Sequence, residues 1–560
     1  MLSGPHCNSN KYTLIKYCQY SESSAAHKSR LEMPTSFYNG VENNTHPSWW
    51  KDPCLRKNAF WLAVCSLTSV YIGYDGSLLN GVQALPKFYE TFPVLERDSN
   101  VLGITGAAQF LPGLVTPFIA SWICDKWGRK GPLIATAIGI CAGAVIQATS
   151  KSLGQFIFSR VFIGAFGMFG QTAAGPMIVE LAHPRVRGTW NGLNLTCYYI
   201  GSIIASWTTF GILQNFPESS WSWRLPSLLQ CMIPGLLILP LCFLPESPRY
   251  LLVAGKKERA TQILSNQHAN GKLDDPLVLL EIHEIEYVLD MERNATKGSG
   301  SDLLDLIRTR GNRWRLWCVI HVAFGAQWSG ANIIGYYFVP VMRSIGIVDP
   351  TPQTLVSGGL SISNWLFALG GAFNMDRAGR RGLFLGSTGS MLVILVLVIG
   401  LSALFLKDEN PAVGGATVGL LYLFYGAYSV AWTPLNIGYP VEILPYSLRT
   451  KGMAVWTFFA CLALCVNTWV NPVALSAIGF HYYIVYVGIL IYLFVVIYLT
   501  FPETKGLSLE EIAIRFDGEE AQEMRNIHPE AGLELADDSE GKVVPVEHVE
   551  SVRSTTGPSA

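Results

Sequence analysis

The sequence predicts an all-α membrane protein of twelve transmembrane helices in two parallel six-helix halves. Composition, apolar run length and an internal repeat predict it. Half of the 560 residues are hydrophobic and only 14% are charged, where soluble proteins carry about 25%. Apolar segments long enough to span a bilayer fall at roughly 58–80, 101–124, 132–150, 155–178, 190–213, 225–244, 315–340, 355–375, 383–406, 413–440, 452–472 and 481–501. Three motifs then recur at nearly one offset. "DKWGRKGPL" (125–133) returns as "DRAGRRGLF" (376–384), "VELAHPRVRG" (179–188) as "VEILPYSLRTKG" (441–452), and "PESPR" (245–249) as "PETKG" (502–506). A parallel repeat of six-helix halves places a solute site between them, near the bilayer midplane.

Taken in order, residues 1–57 are polar and Ser/Asn-rich and lack the apolar core of a cleavable signal peptide. They read as a disordered cytosolic tail. The first half occupies 58–245, with Gly and Pro interruptions that membrane helices tolerate. A charged linker, 246–314, reads as surface helices broken at the Gly271–Pro276 turn. The second half follows at 315–502. A tail at 503–560, acidic and then Ser/Thr-rich, reads as disordered cytosolic chain. Short loops on the linker side carry ten Lys and Arg residues, and the opposite loops carry six. The positive-inside rule then puts both termini and the linker in the cytosol.

The same numbers exclude several classes. A net charge of −1 gives no nucleic-acid signal. The 12 cysteines lie mostly within apolar runs and show no CxxC or metal spacing, so they read as small buried hydrophobes. No phosphate loop, metal cluster or nucleophile motif suggests an enzyme, and no cofactor is expected.

The sharpest feature is Asp75, in "YIGYDGSLLNG" of the first span. A carboxylate at bilayer depth costs about 2.5–3.5 kcal/mol on insertion scales and normally faces the interior with a partner. Arg160, in "FSRVFIGAFG" of the fourth span, is the best cation on offer. At the linker-side ends stand Asp125, Arg129, Lys130, Glu180, Arg185, Arg187 and Glu246, with repeat partners Asp376, Arg380, Arg381, Glu442, Arg449 and Glu503. These read as ion-pair networks forming a cytosolic gate, made in one state of a rocking cycle and broken in the other. One exposed pair is worth only about 0–1 kcal/mol, so only networks can bias that equilibrium.

The motifs "GYDG", "DKWGRK", "SRVFIGAFG", "PMIVELAHPRVRG", "PESPRYLL", "DRAGRRG", "PVEILPYSLR" and "PETKGLSLEEI", in this order across about 58–517, resemble the sugar porters of the major facilitator superfamily. Fungal lactose-permease-type and hexose porters are the most similar group. The resemblance implies a plasma-membrane carrier, functional as a monomer in the lipid bilayer, that imports a mono- or disaccharide together with a proton. It makes Asp75 and Arg160 the coupling pair, since passive members often carry Asn at the first of these positions. It implies a sugar site of Gln327, Asn332 and Asn364, with Tyr336 and Tyr337 as aromatics of the extracellular gate. Elsewhere the pattern departs. Family polar or aromatic positions fall on Ala326, Leu195, Ile437 and Cys461, which leaves Asn191, Trp432 and Asn436 as substitutes nearby. Asn467 and Asn471 are further polar candidates. The altered pocket reads as wider than a glucose site. The alternatives are a sugar sensor without transport, or a carrier of a polyol, organic acid or secondary metabolite.

Overall fold

The structure is a computed structural model that describes residues 43–46, 48–298, 304–344, 346–408, 410–507, 509–518, 535–537 and 543–545. Within these residues the chain forms twelve helical rods. The first half holds span 1 (Pro53–Val82), span 2 (Ser99–Ala107 and Thr116–Trp127, joined by a 3-10 turn), span 3 (Lys130–Ala148), span 4 (Leu153–Leu181), span 5 (Arg187–Asn215) and span 6 (Trp221–Leu229 and Met232–Phe243). The second half holds span 7 (Arg310–Trp328 and Ala331–Ser344), span 8 (Pro350–Ala378), span 9 (Arg380–Asp408), span 10 (Pro411–Ile443), span 11 (Tyr446–Ile478) and span 12 (Tyr482–Thr500). Eight stretches are long and apolar enough to cross a membrane by length and composition alone, one of them (Lys451–Thr500) covering two rods. Spans 2, 5 and 7 are the rods outside those stretches, for visible reasons. Span 2 is interrupted near Pro112 and Pro117, span 5 is rich in Asn, Thr, Ser and Tyr, and span 7 breaks at Gly330.

Helix ends run past the apolar runs because capping residues, not hydropathy, set them. Span 1 begins at Pro53, ahead of the expected boundary at 58. The Asp52 carboxylate accepts the Cys54 and Leu55 N–H groups at 2.9 and 3.2 Å, and Pro at the first helical position has no N–H to lose. Gly330 takes φ +95°, in the left-handed region open to glycine at little cost, and thereby parts the two pieces of span 7.

The expected tails are partly ordered. Asn44 N–H donates to Asp275 of the linker at 3.0 Å, and Asn270 donates back to the Asn44 carbonyl at 2.7 Å. At the other end a helix, Leu509–Asp517, docks on span 7. There Asp517 takes both Nη atoms of the buried Arg315 at 2.7 Å. Two three-residue strands, Leu535–Asp537 and Val543–Pro545, pair antiparallel, a small exception to the all-helical expectation. The remaining tail residues lie outside the described ones.

The linker folds into helices Pro248–Val253, Lys257–His268 and Pro276–Gly298 around its own apolar cluster. It is anchored to the first half through His268, which bonds Glu281 at 2.7 Å and the Leu181 carbonyl at 3.0 Å. Burial, with the neighbouring His268, Arg185 and Arg187, pushes the adjacent His183 down to about 2, so this imidazole stays neutral. Each half has its own core, and the halves meet mainly at the end opposite the linker. Gln83 donates to the Tyr336 carbonyl at 3.1 Å, Arg343 to the Gln83 carbonyl at 3.2 Å, and Phe338 N–H to Asn80 at 3.1 Å. Ser202 of span 5 meets Ser361 of span 8 at 3.0 Å, and Ser476 meets Ser99 at 2.9 Å.

Candidate functional site

Between the halves lies a cavity of about 840 Å³, in the range of small-molecule sites. It runs from Tyr336, under the stitched far end, to Ser121, Gln171 and Lys451 at the linker end. Asp75 lies in its wall and is only 8% exposed. Arg160, 2% exposed, stands behind that wall. The link between them is Gln109 of span 2, 5% exposed. Its Nε2 donates to Asp75 Oδ2, and its Oε1 accepts from Arg160 Nη2. A neutral amide thus joins the two charges, its donor toward the carboxylate and its acceptor toward the guanidinium. Arg160 Nε and Nη1 have no other hydrogen-bond partner among the described residues. Opposite, the span 7 break presents Gln327 and Asn332. Asn332 Nδ2 donates to the Gln327 carbonyl and to its Oε1, both at 3.0 Å.

The linker-end charges form two copies of one device. In the first half Arg129 pairs with Glu180 at 2.8 Å, and Ser247 donates to Glu180 at 2.5 Å. In the second half Arg380 pairs with Glu442 at 2.9 Å, and Thr504 donates to Glu442 at 2.8 Å. Glu246 accepts the Arg129 and Lys130 N–H groups at 2.9 and 3.3 Å, and Glu503 accepts those of Arg380 and Arg381 at 2.8 and 3.1 Å. Each carboxylate therefore caps the N-terminus of span 3 or span 9, where orphan N–H groups and the helix dipole favour an anion.

A family model described as "Sugar (and other) transporter" matches residues 61–516. The chain belongs to this family. Among curated relatives, the MFS-type transporter oryC of Aspergillus oryzae is 30% identical over 81% of this chain and 84% of its own length. The MFS glucose transporter mfs1 of Aspergillus flavus is 27% identical over 82% and 89%. The inward-open structure of the xylose transporter XylE from E. coli superposes with a TM-score of 0.68 at 19% identity, covering 82% of this chain and 99% of XylE. A second XylE structure, described as a proton:xylose symporter bound to 6-bromo-6-deoxy-D-glucose, gives 0.67 at 20% over the same shares. The protein is thus a membrane-spanning transporter of the major-facilitator type and not an enzyme.

Within this transporter the expected solute residues separate. Gln327, Asn332, Tyr336, Trp432 and Asn436 line the large cavity. Asn364 lines a small serine-rich chamber beside it, behind Tyr198, Tyr199, Tyr336 and Tyr425. Asn191 is exposed near the linker end of span 5 and lines neither space, while Leu195, one turn on, does. Tyr337 is also absent from both. It is fully buried and donates to the Thr468 carbonyl at 2.7 Å, at a kink where its backbone leaves the helical region (φ −132°, ψ 32°). Asn467 and Asn471 bond each other at 2.9 Å and engage Tyr486 of span 12 at 2.9 and 2.7 Å, so they pack spans 11 and 12.

The charge clusters separate too. Asp125 is exposed and enters no ion pair among the described residues. Arg187 turns to Glu281 of the linker at 3.5 Å. Lys130 donates to the Cys242 carbonyl at 2.7 Å, and Arg381 to that of Tyr498 at 2.5 Å. Arg449 lies in span 11, two residues before the cavity-lining Lys451. The side chain of Asp376 lies outside the described residues.

Proposed function

We propose that this transporter imports a sugar with a proton across the plasma membrane by alternating access, as a monomer with both termini and the linker in the cytosol. The observation that carries the reading is the buried Asp75–Gln109–Arg160 relay in the cavity wall. The glucose-transporter relative and the XylE likeness favour the same class of cargo and coupling.

The cycle follows from charge. With Asp75 ionised, the relay is neutral overall and every charge has a hydrogen bond. A proton taken from the outside medium converts the carboxylate to a carboxylic acid. Arg160 is then left as a buried cation without a counter-charge, and removing one partner of a buried pair costs about 3–5 kcal/mol. Rearrangement of spans 1, 2 and 4 relieves that cost, and solute held at Gln327, Asn332 and Tyr336 supplies new hydrogen bonds to the rearranged state. Release of the proton into the cytosol restores the relay. Each half, 58–245 and 315–502, moves as one body held at its linker end by its charge device.

Uptake of labelled glucose, lactose and cellobiose in a transporter-null yeast, with external pH recorded, tests this. Asp75→Asn is expected to abolish accumulation and pH dependence while leaving downhill exchange. Unchanged pH-dependent accumulation in Asp75→Asn overturns the proton role. No flux of any sugar, with the protein at the surface, favours a sensor.

A further inference from the structure

Resting on that transport reading, we infer that the cargo is amphipathic: a hydroxylated ring bearing an aromatic or other apolar substituent, as in an aryl glycoside. Three features converge. The cavity's volume of about 840 Å³ leaves most of the space empty around a single hexose ring. Three of its amide groups, Gln109, Gln327 and Asn332, stand near Tyr336, while Gln171, Gln230 and Asn436 lie elsewhere on the lining. Beyond the first three much of the wall is apolar, with Phe118, Met168, Leu195, Ile437, Met453 and Leu464, before Ser121, Gln171 and Lys451 at the linker end.

Between these regions sits Trp432, fully buried, its Nε1–H without a hydrogen-bond partner among the described residues. The Oδ1 of Asn436, one turn on, is likewise buried and unpartnered. Trp432 and Asn436 both line the cavity, and an unpaired donor and an unpaired acceptor on these residues suit a ligand hydroxyl. The apolar part of the wall offers few partners to a second sugar ring, whose hydroxyls there would be buried largely unpaired. It rewards an apolar group, which leaves water on entering. Polar groups at one end orient the ring, and the apolar end discriminates by size.

Intrinsic tryptophan fluorescence and thermal shift on the purified full-length protein test this, with glucose, cellobiose, phenyl β-glucoside and benzyl alcohol as probes. Phenyl β-glucoside is expected to bind at least about tenfold more tightly than glucose, the factor a small apolar group gains in a matching pocket. Benzyl alcohol, lacking the ring hydroxyls, is expected to bind more weakly than either. Met168→Gln and Leu464→Asn, assayed separately, should each bring the phenyl-glucoside to glucose ratio toward one. The glucose titration in the same samples reports folding. Glucose binding with no phenyl advantage, or an advantage untouched in both variants, overturns the inference and leaves sugar transport standing. A phenyl advantage without pH-dependent uptake supports the inference and overturns symport instead. Failure of every glycoside to bind overturns both.

Discussion

Replacing Gln109 by Leu is the most incisive perturbation of the relay. The side chain keeps its approximate volume, so packing changes little. What is lost is one donor to Asp75 and one acceptor from Arg160. Hydrogen bonds to charged groups contribute about 1.5–3 kcal/mol each. The pair of losses is therefore on the order of 3–6 kcal/mol before the two charges relax toward each other. If only 1.4 kcal/mol of that falls on the rate-limiting conformational step, uptake slows about tenfold. Initial uptake rates against external pH, in surface-matched samples, give the readout. Gln109→Leu should lower the maximal rate by at least about tenfold and move the pH profile, since Asp75, the proposed proton-binding group, has lost its donor. In the background of Asp75→Asn the same change should cost much less, because groups in one network are not additive. A normal pH profile in Gln109→Leu, or full additivity with Asp75→Asn, refutes the claim that Gln109 acts through the charges.

Arg380→Ala and Arg129→Ala should each lower stability and uptake, with Arg380 the larger, because three hydrogen bonds join it to Glu442; equal melting temperatures in detergent for wild type and both variants would contradict this. Burial alone would raise Glu503, but the N–H groups of Arg380, Lys505, Thr504 and Gly382 outweigh it and hold its carboxyl below the ordinary 4.5. Its stabilising effect is full above pH 4.5 and fades as pH falls through the lowered value, so the melting-temperature gap between wild type and Glu503→Gln should shrink on acidification below that point. Gly330→Ala should destabilise by about 1–2 kcal/mol through the positive φ and impair solute binding at Gln327 and Asn332, read by denaturant melts and uptake KM. Gln83→Leu removes one bond from the far-end closure, so a cysteine placed at Ser202 should be alkylated faster from outside.

The architecture was readable because it rests on local signals. Apolar length gave the rods, and the paired charge motifs gave the repeat, since capping a helix start with a distant carboxylate demands Gly and Arg at fixed spacing. The site was only partly readable. Asp75 and Arg160 stand out because charge in an apolar run is costly. Gln109, in "GAAQFLPGL", does not, because a single amide in a span usually bonds a neighbouring helix. Nothing in the sequence marks it as lying between two charges from spans 1 and 4. Asn191 lies off the cavity for a rotational reason, and Tyr337 does because span 7 kinks at it. Spacing along a chain fixes the turn a residue occupies but not which side of a slightly bent helix faces the cavity. Asn467 and Asn471 failed because Tyr486, their partner, lies in the next span. The docked parts of the tails were not legible because their partners, Asp275 and Arg315, belong to distant segments.

The arrangement of bonds also bears on how the two states are balanced. The resolved partners of the charge devices lie within one half, Arg129 with Glu180 and Arg380 with Glu442. They stiffen each body and do not by themselves favour one facing over the other. The contacts that distinguish the ends cross between halves and are neutral or singly charged; among the described residues they include Gln83 with Tyr336, Asn80 with Phe338, Arg343 with Gln83, Ser202 with Ser361, Gln214 with Thr351, and Ser99 with Ser476. Each is worth about 0.5–1.5 kcal/mol net, so together they supply on the order of 5 kcal/mol. Inverting a two-state equilibrium from 1:99 to 99:1 needs about 5.5 kcal/mol. The far-end closure is therefore of the same size as the bias it must be able to lose. In the proposed cycle an uncompensated Arg160, worth about 3–5 kcal/mol, is comparable to the closure but smaller than that inversion needs, so the proton alone does not set the facing and the bound solute must contribute. On the proposed coupling, that balance is what would make proton and cargo move together.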